Sequence, residues 1–516
     1  MNAWLERVRL LFGNLPGQCF CVRWGWPIAF LLVIILALSL RLPRLDEGHQ
    51  DEVHTIGRSL RILYTGQFNP EFFYHPSGTM YLCVFADILS LINISRDVSN
   101  GTLLEGGLPP LDRLQEEFPN PVQEWMYTDS EHELLNAFTR QVRFYFVLLI
   151  PLQILLLAYL GYHLQLLPAA LAASLFLAVS PSSLDESIYV AVNSSGGFFF
   201  LLTVALAAYF GKRGPVQPGL LVLLFGGVMA ILYAVQNAIQ AHAVQVALLW
   251  LLIGALVLFA QMRWRPGRQL TWLLQLFLLG VACGLSVACK YNAGVNLLIP
   301  FVFAALTLPG KPGLGFRAER WLGGAAASLL GLVAGFTLLT PFWIVEFQRF
   351  VHDVLWQVYY FQTGHRDYNT FEPGLQMAYI NLRAIADQYS WTGVVLSVAS
   401  WIYLAATGFH RDERYWLHLR VLFPALLSVL AFYLLMSNQA VFFDRNFGLV
   451  WSTFFFLSAA GWWLAAGRIA ERRGWLVLET QTIALTAVVL ICLLQAFVIE
   501  PALFTREWWR PQPWWR

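Results

Sequence analysis

The chain has 516 residues, of which 58% are hydrophobic and only 12% are charged. Soluble domains carry about 25% charged residues, so this composition excludes an ordinary soluble globular protein. The formal net charge of +2 is close to zero and therefore indicates neither a nucleic-acid partner nor an acidic one. Apolar runs long enough to cross a bilayer, about 20 residues, recur along nearly the whole chain. We therefore predict a polytopic, all-helical membrane protein.

The first apolar run, 26–40, follows Arg7, Arg9 and Arg23 and leads into the polar sequence RLPRLDEGHQDE. A secretory signal also has a basic flank, but it ends in a small-residue cleavage pattern, which this run lacks. We therefore predict a retained first helix.

The hydropathy pattern predicts the following apolar runs, with boundaries accurate to a few residues. They are 26–40, 76–94, 141–160, 165–181, 194–211, 218–238, 242–261, 270–289, 291–308, 321–340, 391–407, 417–436, 446–466 and 475–499. About thirteen of them are expected to cross the membrane.

Orientation follows from the Lys- and Arg-bearing short loops, which are enriched on the cytoplasmic side. These loops are 211–214, 263–268, 311–320, 410–414 and 468–473. Placing them inside, together with the amino terminus, puts two long segments outside: 41–75 and 341–390. Both segments are candidate working surfaces of a protein in the plasma membrane.

The three runs between 141 and 211 do not fit this orientation if all of them cross. The shortest, 165–181, ends in SPSSLDES, and we expect a half-crossing element that packs on protein at an outer cavity. The alternative places the acidic segment 95–140 outside.

The first outer segment contains an adjacent carboxylate pair, Asp51-Glu52, in LDEGHQDEVHTIGRSLRILYTG. The residues from Val53 onward have apolar positions at helical spacing, so we expect an interfacial helix that holds the pair at the membrane surface. A carboxylate held in this way is a candidate general base with a positioning partner. The alternatives are a solvated polar loop, or a divalent cation bound by the pair together with His49 and His54.

The second outer segment contains GHRDYN, in which His365, Arg366 and Tyr368 offer a cation for phosphate and partners for hydroxyl groups. Lys290 lies alone between two long apolar runs, where an ionisable residue is costly and is a functional candidate. A lysine snorkelling to the interface is the alternative for Lys290. Arg445 precedes another helix on the same predicted side, with Asp444 as a candidate partner.

The order of these features resembles the polyprenyl-phosphate-sugar-dependent glycosyltransferases of the GT-C superfamily, the group of protein O-mannosyltransferases and the lipid A aminoarabinose transferase. The similar motifs are Asp51-Glu52 followed by LYTGQFNPEFFYHPSGTMYL, then SPSSLDESIYVAVNSSGGFFFLL, GVACGLSVACKYNA, TPFWIVEFQRFVHDVLWQVYYFQTGH and VFFDRNFGLVW. They span about residues 30–460. The chain departs from the family at Asn193, where an Asp is common, and at Ile188, where an Arg or His is common.

The resemblance implies that one sugar moves, with inversion, from a polyprenyl-phosphate donor to a hydroxyl of a lipid, glycan or protein on the outer face. It implies Asp51 as the catalytic base and Glu52 as the residue that positions donor or acceptor. The donor phosphate would be bound by Lys290, Arg445, Arg366 and His365. Further substrate contacts are expected from Tyr291, His54, His75, Asn193 and Tyr368.

Two other functional classes remain open from the sequence. One is a secondary transporter or lipid flippase, although such a protein would be expected to place charges and broken helices near the midplane. The other is a catalytically inactive relative that serves as an assembly partner, for which Asn193 and Ile188 are the indications.

Overall fold

The computed structural model describes residues 20–46, 52–66, 69, 73–99, 133–190, 192–212, 268–307, 318–364, 370–407 and 413–494. Within these ranges the helices are α1 Phe20–Arg41, α2 Glu52–Thr65, α3 Gly78–Ser99, α4 Glu133–Val147, α5 Leu149–Leu164, α6 Leu167–Val179, α7 Pro181–Ile188, α8 Val192–Lys212, α9 Arg268–Cys289, α10 Leu298–Leu306, α11 Ala318–Leu339, α12 Phe347–Thr363, α13 Leu375–Thr407, α14 Glu413–Ser437, α15 Trp451–Arg473 and α16 Val477–Leu494. Short 3-10 turns precede α10 and α15, at Tyr291–Leu297 and Asp444–Leu449.

Eight helices in the described residues are long and apolar enough to cross a membrane, or nine if the bent pair α6 and α7 forms one span. The prediction of an all-helical, multi-span membrane protein is confirmed. The predicted runs 218–238 and 242–261 lie outside the described residues. The number of crossings and their orientation therefore stay predictions.

The outer faces of the bundle expose large apolar side chains, as expected where helices meet lipid. Leu32 on α1, Ile402 on α13 and Leu434 on α14 are each more than half exposed. The interior is formed around α15, which is buried along most of its length and packs on α6, α13 and α16. α15 is thus the central helix of the bundle, and its amino terminus follows the 3-10 turn Asp444–Leu449.

Helices α9 and α11 pack through two pairs of glycines, Gly280 and Gly284 on α9 and Gly331 and Gly335 on α11. A methyl group on Gly331 would lie 2.0 Å from the carbonyl oxygen of Phe277, and one on Gly284 would lie 2.2 Å from that of Leu332. Small residues four apart let helix backbones touch in membranes. This close contact fixes the end of α9, where Lys290 follows.

The predicted helix after Asp51-Glu52 is present as α2, but its apolar side does not face lipid. Ile56 and Leu60 are buried against α3 and α4, in one cluster with Cys83 and Phe138. The sequence pattern gave the correct helix, because an apolar stripe at helical spacing has the same form whether lipid or protein covers it.

The predicted incomplete crossing at 165–181 is a broken helix in the structure. α6 ends at Val179, α7 begins at Pro181, and the two axes differ by 65°. The incomplete crossing of this helix pair stays a prediction.

Helix α13 begins earlier than the predicted span 391–407. It starts at Leu375 and has a break at Tyr389–Ser390, where Ser390 adopts φ 78°. The part after the break matches the predicted span, whereas residues 375–388 were assigned to the outer segment 341–390. The hydropathy pattern did not predict the part of α13 before the break, because that part contains polar residues. Some of these polar side chains form hydrogen bonds to protein.

Candidate functional site

A cavity of about 460 Å³ lies where six segments meet: the start of α2, the chain before α3, the α7–α8 connection, the turn after α9, helix α12, and the chain between α14 and α15. Six of the predicted site residues line it: Glu52, His75, Asn193, Lys290, Tyr291 and Arg445. The structure therefore brings together motifs that are almost 400 residues apart in the sequence.

Glu52 is the first residue of α2 and is 1% exposed. Its carboxylate accepts two hydrogen bonds from Arg143, from Nε at 3.0 Å and Nη2 at 2.7 Å, and a third from the backbone N–H of Val190 at 2.8 Å. Arg143 also donates to the carbonyl oxygen of Leu45 at 2.8 Å. Glu52 thus ties the start of α2 to α4 and to the α7–α8 connection.

Lys290 and Arg445 bring positive charge to the cavity from two different segments. Lys290 has an extended backbone between the end of α9 and the 3-10 turn, and its Nζ donates to Oδ1 of Asn446 at 2.7 Å. Arg445, the neighbour of Asn446 in the chain, has its guanidinium 4.8 Å from the centre of the Phe443 ring. One hydrogen bond therefore couples the turn that bears Lys290 to the turn that bears Arg445.

Glu186 is a cavity residue that the sequence analysis did not single out. Its Oε2 accepts a hydrogen bond from Nδ2 of Asn193 at 2.8 Å, so the residue at the family's usual Asp position contacts a carboxylate. Gly448 packs on both, since a methyl group there would lie 3.1 Å from Cβ of Asn193 and 3.5 Å from Oε2 of Glu186. The Arg445 turn and the Glu186–Asn193 pair are therefore adjacent.

Arg41 and Gln388 stabilise the break that directs α7 to the cavity. Arg41 is fully buried and donates to the carbonyl oxygens of Leu177 and Ala178, at 3.1 Å and 2.9 Å, which the end of α6 leaves without helical partners. At the start of α7, Oε1 of Gln388 accepts from the backbone N–H of Ser182 at 2.8 Å. Both ends of the break are satisfied by protein, and this fixes the direction of α7.

Helix α12 is held against the chain before α3 by buried polar contacts. The hydroxyl of Tyr291 donates to the carbonyl oxygen of Phe73 at 2.8 Å, and the N–H of Phe73 donates to Oδ2 of Asp353 at 3.0 Å. Asn69 additionally donates to Glu346. Phe73 belongs to the first predicted outer segment, 41–75, and Asp353 to the second, 341–390. Tyr291 thus connects the turn after α9 to the place where these two segments meet.

Four predicted site residues lie outside the described residues: Asp51, His365, Arg366 and Tyr368. Asp51 immediately precedes Glu52, and His365 comes three residues after Gln362, which lines the cavity. His54 lies on α2, in a part of the helix whose side chains are not described. The roles of these five residues, like those of the six that line the cavity, stay predictions.

A divalent cation is an alternative that the sequence left open. In the described part of the chain, no three His, Cys, Asp or Glu side chains are grouped in a way that could hold a metal ion. Glu52, one of the predicted ligands, has both carboxylate oxygens bonded to Arg143. The Glu52 carboxylate therefore does not fit a metal ligand, whereas His49, Asp51 and His54 are untested.

The residues that sequence reasoning missed are polar but lack a diagnostic spacing. Glu186 lies on the short helix that follows Pro181, and Asn446 follows Arg445 directly. A search for polar residues at the predicted helix breaks would have found Glu186. Gln357 and Gln439, which also line the cavity, had no such signal.

No family model and no curated protein matches the sequence. Three solved structures of an oligosaccharyltransferase from the archaeon Archaeoglobus fulgidus are similar. The complex with Zn and sulfate has 13% identity and a TM-score of 0.41, over 92% of this chain and 52% of that one. The form tethered to an acceptor peptide with the NVT sequon has 10% identity and a TM-score of 0.47, over 94% and 55%.

The third structure, AglB in complex with an inhibitory peptide and a dolichol-phosphate, has 12% identity and a TM-score of 0.41, over 94% of this chain and 56% of that one. The present chain thus spans about half the length of the solved structures it resembles. All three TM-scores are below 0.5. At this level of similarity, the likeness to these structures carries no argument about function.

Proposed function

We propose that this protein is a membrane glycosyltransferase that moves a sugar from a polyprenyl-phosphate donor to a hydroxyl group of a lipid, glycan or protein acceptor. One observation carries the proposal: Lys290, Arg445 and Glu52 line the same cavity. Glu52 is the second residue of the Asp51-Glu52 motif. A cavity lined by both cations and carboxylates matches the charges of this reaction. The cavity would open to the outer face of the plasma membrane.

The proposed reaction is one displacement at the anomeric carbon. The acceptor oxygen forms a bond to this carbon while the bond to the phosphate oxygen breaks, so the configuration inverts. Asp51 takes the proton of the acceptor hydroxyl, and the electron pair of the broken bond remains on the polyprenyl phosphate. Lys290 and Arg445 stabilise the charge on that phosphate, and such fixed cations act more strongly in a cavity than in water.

Glu52 acts as an anchor in this scheme. Its ion pair with Arg143 and its hydrogen bond from Val190 fix the first residue of α2, which directly follows Asp51 in the sequence. This support is consistent with a precisely held base, since a base must lie within hydrogen-bond reach of the proton it abstracts. His365 and Arg366, which follow α12 in the sequence, are proposed as further ligands of the donor phosphate, and Tyr368 as a substrate contact.

The Glu186–Asn193 hydrogen bond bears on the reading of the chain as an inactive relative. Asn193 was interpreted as an indication of lost activity, because an Asp is common there in the family that the chain resembles. A carboxylate is nevertheless present beside this residue, supplied by Glu186. The departure at Asn193 therefore does not remove the acidic group from this part of the cavity.

Transfer from radiolabelled lipid-linked sugars tests the proposal. Purified protein is given a panel of polyprenyl-phosphate sugars and a membrane extract as acceptor source, beside the variant Asp51→Asn. We expect label to leave the lipid carrier for at least one sugar, and the rate to fall by about 100-fold or more in the variant, as for loss of a general base. No transfer with any sugar would contradict the function, whereas an undiminished rate in Asp51→Asn would contradict only the base.

A further inference from the structure

The wall of the cavity formed by α12 and Gln439 is neutral and rich in amides. Gln357 and Gln362 on α12 and Gln439 after α14 line it. The other residues that α12 gives to the cavity are apolar or aromatic. Glu52, Glu186 and Lys290, the charged lining residues nearer the amino terminus, come from other segments, and Arg445 follows six residues after Gln439.

Within the described residues, the side-chain amides of the three glutamines have no hydrogen-bond partner. Gln362 is exposed and Gln357 is half-buried, but Gln439 is only 8% exposed, and its amide is not among the buried polar atoms that are sealed off without a partner. The Gln439 amide therefore faces the cavity. Burying an unpaired amide costs free energy, so Gln439 indicates a site that a polar ligand completes.

The wall is fixed by backbone contacts. The N–H of Ala440 donates to the carbonyl oxygen of Phe361 at 2.7 Å, and Thr370 and Val441 form an antiparallel bridge. These bonds hold Gln439 next to the end of α12, where Gln362 lies. The amides are therefore presented by a preorganised pair of segments.

Aromatic side chains lie among the amides. Trp356, Tyr360 and Phe361 of α12 line the same wall. An amide offers both donors and an acceptor, which suits pairs of hydroxyl groups. Aromatic rings offer flat apolar surface with a specific geometry, which suits the C–H face of a sugar ring. Among the described residues, α12 and Gln439 bring no charged side chain to the cavity.

We propose that this wall is a subsite for a neutral, hydroxyl-rich sugar unit and selects it over amino sugars and sugar acids. The inference rests on the proposed function, because it assigns the sugar specificity of the same cavity. Gln357, Gln362 and Gln439 hydrogen-bond the hydroxyl groups, and the aromatic residues pack against the ring. The sugar belongs either to the donor or to a glycan acceptor.

Saturation-transfer NMR on the full-length protein in nanodiscs tests the subsite without any transfer reaction. The probes are a neutral methyl hexopyranoside, the corresponding 2-amino sugar and the corresponding uronic acid. We expect the neutral glycoside to give the strongest signal. Gln439→Met and Gln362→Met should each weaken its binding by about three- to tenfold, as for loss of one neutral hydrogen bond.

Gln348→Met is the matched control, because Gln348 lies on the same helix, is exposed and is not among the cavity-lining residues. It should leave binding unchanged. Gln362 is exposed, so Gln362→Met keeps the test valid even if Gln439→Met fails to fold. Equal or stronger signals from the charged sugars, no signal from the neutral glycoside, or unchanged binding in Gln362→Met would overturn the subsite.

Two competitors identify the source of the sugar. Displacement of the glycoside by polyprenyl-phosphate sugar but not by bare polyprenyl phosphate assigns the wall to the donor sugar, and displacement by neither assigns it to the acceptor. Displacement by bare polyprenyl phosphate would contradict a sugar subsite. Since no transfer is needed, glycoside binding with no transfer from any donor would reject only the proposed function, and transfer without glycoside binding would reject only the subsite.

Discussion

The ion pair between Glu52 and Arg143 is deeply buried, with side-chain exposures of 1% and 7%. Removing two charges from water is costly, and a buried pair is retained only with good geometry and additional hydrogen bonds. Here the N–H of Val190 and the carbonyl oxygen of Leu45 provide those bonds. The pair therefore joins three chain segments at the predicted catalytic loop.

Breaking this pair from one side should destabilise the protein strongly. We expect Arg143→Met to lower the free energy of unfolding by about 3–5 kcal/mol, because it leaves the Glu52 carboxylate buried without its partner. Thermal unfolding of the purified protein in detergent measures the effect. The double variant Glu52→Gln with Arg143→Met should regain part of the loss, since it removes the uncompensated charge.

Arg140→Met is the control for Arg143→Met. Arg140 lies one turn earlier on α4, is 56% exposed and pairs with Asp46 at 3.6 Å, so its loss should change stability by about 1 kcal/mol or less. Equal stability of the two single variants would show that the buried pair is not the anchor described above.

Single residues differ in how far the sequence could identify them. Lys290 was predicted as a functional candidate because a lone lysine between apolar runs is costly, and it does line the cavity. Arg143 lies in a run of mixed polar and apolar residues, so nothing in its spacing predicted a pairing with Glu52 across 91 positions. Such long-range partners follow from how helices pack.

At the scale of elements, the break between α6 and α7 shows how a polar residue in a membrane helix acquires a structural role. The sequence indicated an incomplete crossing at 165–181 from the orientation of the neighbouring loops. It did not predict that Arg41, at the end of α1, would cap the end of α6. A positive charge at a helix carboxyl terminus also interacts favourably with the helix dipole.

The glycine contact between α9 and α11 gives a prediction for a whole helix pair. Gly331→Ala should lower the free energy of unfolding by about 1–3 kcal/mol, because a methyl group 2.0 Å from the carbonyl oxygen of Phe277 forces the helices apart. Thermal unfolding in detergent measures this change.

Gly323→Ala on the same helix is the matched control, since nothing lies within 4 Å of an added methyl group there. Alanine favours helix over glycine by about 0.5–1 kcal/mol, so this variant should be as stable as the parent or more stable. If Gly331→Ala behaved in the same way, α9 and α11 would not be in backbone contact.

At the scale of the whole molecule, the sequence predicted the membrane class and most of the helices. Apolar runs report burial in lipid or protein directly, so α5, α8, α9 and α11 agree with the predicted runs. The tertiary surroundings were less predictable: α2 was expected on the membrane surface, and nothing in its sequence indicated that Ile56 and Leu60 would pack on α3 and α4. The neutral wall of Gln357 and Gln439 also arises only when α12 meets the chain after α14.

The proposed glycosyltransferase function requires that a lipid phosphate binds next to Lys290 and Arg445. Lys290→Gln keeps a partner for Asn446 but removes the charge, whereas Arg349→Gln removes one positive charge from a side chain that is 51% exposed and is not among the cavity-lining residues. The two variants thus change the net charge equally. Only Lys290→Gln should affect the phosphate.

Photocross-linking tests this directly, with a polyprenyl phosphate that carries a diazirine beside its phosphate and with mass spectrometry to locate the attached residues. We predict attachment within the cavity lining, near 290–292 and 443–446, competition by unlabelled polyprenyl phosphate, and a loss of about tenfold or more in Lys290→Gln but not in Arg349→Gln. Attachment only elsewhere, or equal labelling of the two variants, would contradict a lipid-phosphate site in this cavity.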